Sequence, residues 1–145
     1  MTEPLWLSTE LVLAIHGEQL REFGGGGGLR GAGPPQSALD RPRNKWGYES
    51  SDLPGLAAAD GFGIAKNHPF VDGNKRVSLL ALVTFLGING IDFVASEAEA
   101  VLIIRDLAAG KITEDGLARW ISDNWPEGAP RRLAGHPLGL ALLDA

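Results

Sequence analysis

One stretch of this 145-residue chain gathers groups that can do chemistry: His68-Pro69-Phe70-Val71-Asp72-Gly73-Asn74-Lys75-Arg76. It holds a titrating ring, a carboxylate, an amide and two cations, and it leads into an apolar run that reads as a helix. A helix start presents backbone N–H groups without intrahelical partners and a partial positive charge. Gly73, Asn74 and Lys75 can therefore offer main-chain donors to phosphate oxygens. Gly73 also lets a ligand approach closely. Arg76 supplies a planar fork suited to phosphate oxygens, and Lys75 a compact charge beside it. A nucleotide polyphosphate normally arrives with Mg²⁺, which takes one or two carboxylates together with phosphate oxygens and water, and Asp72 suits that place. His68, with an ordinary pKa of about 6.5, can take a proton near neutral pH, as a base acting on an attacking hydroxyl must. Pro69 ends the preceding helix and Phe70 points into the core, so both brace the loop. Taken singly, these residues read as a turn, a helix cap, a surface ring and solvated cations; only their combination points to a site.

The elements that must position this loop are helical. Ser8 can cap a helix through Phe23, with Leu11, Val12, Ile15 and Leu20 on one face, and the glycines that begin at Gly24 end it. His16 lies beside those apolar residues and reads as structural; His136 is a weaker candidate still. A second helix runs from Ser51 or Asp52 to Asn67, with Pro54 in its first turn and Leu56, Ala57, Phe62 and Ile64 as core contacts. Asn74 to Asn89 is apolar nearly all round, which marks a central helix, and Asn89-Gly90 closes it. Ser96 with Glu99 makes a capping box for a helix to about Ala109, and Thr113 caps another to about Trp125. Gln36 to Asp40 can form a short helix, whereas Arg41 to Tyr48, broken by Pro42 and Gly47, reads as an ordered loop. The expected fold is one all-helical bundle of about six helices over residues 1–125, followed by a Gly/Pro-containing tail, 126–145, that is loose or docks as a short helix.

Composition removes several classes. The net charge of −5 argues against a general nucleic-acid binder, so any phosphate site must be local. With no cysteine, the chain has no disulfide framework, thiolate zinc site or redox chemistry of its own. The start lacks the basic and apolar regions of a signal peptide, and no apolar run approaches the roughly eighteen residues of a membrane span, so a cytoplasmic place is expected. Gly26, Gly28 and Gly31 spell a dinucleotide-binding pattern, but no β-rich run precedes them and no helix with an acidic ribose partner follows.

The loop resembles the signature of the Fic (Fido) family, HPFx(D/E)GN(G/K)R, at every specified position. From about Leu5 to Trp125 the order of segments is similar to the death-on-curing (Doc) toxin branch, including Gly47-Tyr48-Glu49 and Phe85-Leu86-Gly87-Ile88-Asn89-Gly90. The resemblance implies an all-helical transferase that uses ATP and Mg²⁺, with His68 as base, Asp72 on the metal, and Gly73, Asn74, Lys75 and Arg76 around the phosphates. It also implies a flap that holds the target by adding a strand, for which Arg43, Asn44, Lys45, Trp46 and Tyr48 are the candidates. Trp46 and Tyr48 read equally well as packing over the cleft.

Lysine at position 75 matches death-on-curing toxins, which are kinase-like. This favours phosphate transfer to a protein such as elongation factor Tu, under the control of a Phd-like antitoxin. Gly73 and Pro69 match the adenylating members and keep adenylate transfer open as the alternative. A catalytically silent binding domain is the third reading, disfavoured by the intact His68, Asp72, Asn74 and Arg76. The inhibitory pattern (S/T)xxxE(G/N) finds only Asp123 to Gly128, which has aspartate at its start and Pro126 inside, so self-inhibition is not expected.

Overall fold

The computed structural model describes residues 2–27, 36–67 and 73–133, which form six helices and no strand, as the all-helical reading requires. Among these residues no helix is long and apolar enough to cross a membrane. Helix α1, Thr9–Phe23, begins where the Ser8 hydroxyl accepts a hydrogen bond from the Leu11 N–H, and Gly24 ends it. The remaining helices are α2, Gln36–Glu49, α3, Leu53–Asn67, α4, Asn74–Ile88, α5, Glu97–Ala108, and α6, Glu114–Asp123.

The core is a stack built on α3 and α4. Val77, Ala81, Leu82, Phe85 and Leu86 of α4 are buried, which makes it the expected central helix. α3 is enclosed even more completely, since every residue from Leu53 to Ala65 except Phe62 is buried. Alanine and glycine recur along it, so its neighbours approach closely from several sides. A Cβ on Gly61 would stand 3.0 Å from a Leu82 methyl, and one on Gly63 would stand 2.8 Å from the carbonyl oxygen of Ala38. The buried Ser78 hydroxyl donates to the Gly61 carbonyl at 2.6 Å, satisfying the one polar group that α4 turns towards this seam.

The segment expected as a loop from Arg41 to Tyr48 is instead the greater part of α2, with Pro42 inside it. Proline removes the bond that the Ala38 carbonyl would accept and crowds that carbonyl, so propensity argues for a break. Burial reverses the outcome: Ala38, Leu39 and Pro42 face α3, and the glycine at position 63 leaves room for the Ala38 carbonyl. α2 is pinned from outside as well. Arg41 and Lys45, one turn apart, both grip the nearly buried Glu114 carboxylate at the start of α6, at 2.6 and 2.7 Å.

The chain before α1 is strapped to the end of α4 by Asn89. Its amide oxygen accepts from the Leu5 N–H at 2.8 Å, while its amide nitrogen donates to the carbonyls of Leu5 and Phe85. Trp6 then stacks on Phe85 and meets Trp46 edge-on, centroids 5.9 and 6.3 Å apart. The helix caps at Ser96 and Thr113 form as expected, the hydroxyls accepting from Glu99 N–H and Gly116 N–H. The Glu99 carboxylate, however, accepts from the Trp120 indole, tying α5 to α6. Residues 126–133 dock as irregular chain rather than as a helix: Leu53 N–H donates to the Arg131 carbonyl and Thr2 N–H to that of Leu133. The rest of the expected tail, His136 included, lies outside the described residues.

One buried group in this core has no partner. Asp60 is 1% exposed, and neither carboxylate oxygen finds a hydrogen bond. Burial pushes its carboxyl well above the ordinary 3.8, and the positive charge of Arg43 on α2 draws it back only in part. The sign of the linkage follows from that shift. Below 3.8 both folded and unfolded chains hold the proton, and as pH rises the unfolded chain releases it first, so the fold loses stability until pH passes the raised folded value. Asp60→Asn has no such proton to lose. Its stability relative to the parent, read from urea midpoints, is expected to improve as pH rises above 3.8, until the raised folded value is passed. A difference that stays level with pH would show that Asp60 titrates alike in the folded and unfolded chains.

Candidate functional site

The first turn of α4 carries four of the residues singled out in the sequence, and local geometry explains how it starts. Gly73 caps the helix in the left-handed conformation, φ +83° and ψ 9°, and its carbonyl accepts the first intrahelical bond, from Val77 N–H at 3.0 Å. Gly73, having no side chain, makes no side-chain cap, and no acidic residue occupies the first turn. Asn74 is half-buried, Lys75 exposed and Arg76 half-buried. His68, Pro69, Phe70 and Asp72 lie outside the described residues.

Two cations in the first turn run against the usual helix pattern. Acids are favoured at the N-terminus and cations at the C-terminus, each by about 0.3–1 kcal/mol, so Lys75 and Arg76 oppose the dipole. The helix start and both side chains therefore add their positive charges at one point of a chain whose net charge is −5. Such a point has an evident complement, an anion that meets backbone N–H groups and cationic side chains together.

α1 supplies the other side of this point. The Arg76 guanidinium lies over the ring of Phe23, its central carbon 5.0 Å from the centroid, while its Nε is buried without a hydrogen-bond partner. A terminal nitrogen of Arg76 comes within 3.7 Å of the position a Cβ on Gly73 would take. The buried imidazole of His16 flanks the same position at 3.7 and 3.9 Å. His16, read from its apolar neighbours as structural, is buried and forms part of the wall around the α4 start. Phe23 was not singled out by sequence reasoning. The available signal was its spacing, two helical turns after His16 on one face of α1.

The residues expected to form an extended flap do not share one role. They lie in α2, where backbone N–H and C=O groups are committed to the helix and cannot add a strand to a target. Lys45 is held by Glu114 and Trp46 packs against Trp6, the second fulfilling the packing reading. Arg43, Asn44 and Tyr48 remain exposed, Tyr48 at 90%. Arg41, Asn44, Lys45 and Tyr48 line an open polar cleft with Ser37, Glu49 and Glu114. Among the described residues no three His, Cys, Asp or Glu side chains converge as a metal cage would require.

An all-helical core with a cationic helix start at the end of the sequence HPFVDGNKR defines a class, and comparison with known proteins agrees. The model of the Fic/DOC family matches residues 6–86, more than half of the chain, which therefore belongs to that family. The matched span runs from the strap before α1 to the last turn of α4. The chain is also similar to a protein kinase, Doc of Escherichia phage P1, with 29% identity over 113 residues covering 77% of this chain and 89% of the phage protein.

The left-handed backbone at Gly73 gives a test that needs no ligand. Among the described residues an added Cβ meets nothing closer than 3.7 Å, so what Gly73→Ala introduces against them is the strain of φ +83°. That strain is worth about 1–2 kcal/mol. The variant should fold with a stability lower by that amount, read as a lower urea midpoint at unchanged m, and an unchanged midpoint would mean that α4 does not start in this conformation.

Proposed function

We propose that this chain is a protein-modifying transferase that moves a phosphate from ATP to a hydroxyl of a target protein. Its support is the first turn of α4, where Lys75 and Arg76 add charge to a positive helix end and no acidic residue occupies the turn itself. Gly73, Asn74, Lys75 and Arg76 bind the phosphates, the backbone of the first turn and the Arg76 fork holding oxygens while Lys75 neutralises charge. Asp72 precedes Gly73 in the chain and is the carboxylate that would hold Mg²⁺, the ion that neutralises phosphate oxygens during transfer. His68 takes the proton of the target hydroxyl as its oxygen bonds to the γ-phosphorus, and the bridging bond to the β-phosphate breaks to release ADP. Pro69 and Phe70 brace the loop.

Lys75 and the similarity to a phage kinase favour phosphate transfer. The alternative is adenylate transfer, with attack at the α-phosphorus and release of pyrophosphate, and a glycine at position 73 favours it. By the same likeness the role is that of a cytoplasmic toxin that stops translation, restrained by a Phd-like antitoxin, with residues 1–125 as the catalytic domain and elongation factor Tu as the target. The exposed Arg43, Asn44 and Tyr48 of α2 are offered to that target as side chains on a helix.

Intact-mass measurement of elongation factor Tu after incubation with the protein, ATP and Mg²⁺ tests this reading. The expected result is a gain of one phosphate, slowed about 10²–10⁴-fold in His68→Ala, the usual contribution of a positioned base. A gain of adenylate would establish the alternative, and an unaltered elongation factor would remove it as the target. A gain that survives His68→Ala at full rate would overturn the role of His68. In a separate calorimetric titration, Arg76→Ala should bind ATP more weakly with Mg²⁺ present, and parental affinity would place the nucleotide elsewhere.

A further inference from the structure

Phe23 is a large apolar residue, 59% exposed, on the last turn of α1, so burial does not explain its place. Among the described residues its ring meets Arg76, whose guanidinium covers one face at 5.0 Å. An arginine side chain carries about 2 kcal/mol of rotamer entropy, much of which must be given up when its fork binds an anion. Stacking on an aromatic face restricts the guanidinium beforehand. The orphaned Nε of Arg76 fits the same picture: one edge of the group is shut away from water while a terminal nitrogen is turned towards Gly73. His16, buried on the same face of α1, comes equally close to Gly73.

We infer that Phe23 is a positioning residue for Arg76: α1 holds the guanidinium by its face, so that its terminal N–H groups stay aimed at the first turn of α4. The inference rests on the reading of that turn as a phosphate site. It assigns to α1 a part in ligand binding that touches no ligand.

The test is a calorimetric titration with ATP and Mg²⁺ of the parent, Phe23→Ala, Phe23→Leu, Phe23→Trp, Arg76→Ala and the Phe23→Ala/Arg76→Ala double variant. Phe23→Ala and Phe23→Leu should bind about two- to fivefold more weakly, the worth of one exposed cation–π contact, and Phe23→Trp should restore affinity. In the Arg76→Ala background the Phe23 substitution should have no further effect, because its partner is gone. The thermal midpoint of Phe23→Leu should match the parent, which separates positioning from a loss of fold. Equal weakening in both backgrounds would show that the ring touches the nucleotide itself and would overturn the inference. It would fall too if Arg76→Ala weakened binding and Phe23→Ala did not. Parental affinity in Arg76→Ala would instead overturn the phosphate site and, with it, the role of Phe23.

Discussion

Lys75 and Arg76 occupy the end of α4 that the helix dipole already makes positive, and the surrounding structure keeps them there. A free side chain would relieve the repulsion by swinging away. Arg76 is instead held against α1, with Phe23 under its guanidinium and His16, like its terminal nitrogen, close to Gly73. The backbone is no freer. α4 is tied to α3 through Ser78 and Gly61 near its start, and to the chain before α1 through Asn89 at its end. A site of concentrated charge on an otherwise acidic protein needs such a frame, because its attraction for an anion depends on holding several donors within one turn.

The α2–α3 seam shows the same economy with different chemistry. Ala38, Pro42 and Gly63 bring two backbones close, and the close fit makes a helix of a stretch whose proline and glycine invite a loop. The charged residues of α2 are then divided. Arg41 and Lys45 are committed to Glu114, while the exposed Arg43 acts only through its charge on the buried Asp60 carboxyl, which burial keeps from ionising readily. Asp60 is therefore a weak point in the otherwise apolar run from Leu53 to Ala65. It sits four residues after Leu56 and four before Ile64, so its burial follows from the pattern of apolar positions around it.

The apolar spacing of α1 and α4, the hydroxyl caps at Ser8, Ser96 and Thr113, and the run from Gly73 to Arg76 were all readable in the sequence. Each is a local property: a cap needs only the next three residues, and a helix start declares its charges in a single turn. The sequence by itself therefore determined an all-helical chain with a cationic helix start in a family-specific loop. Only the tertiary structure decided that Arg41 to Tyr48 is helical, that Asp60 is sealed in without a partner, and that Phe23 and His16 stand around Arg76. These depend on contacts between residues far apart in the chain, where burial against a neighbouring helix outweighs local preference.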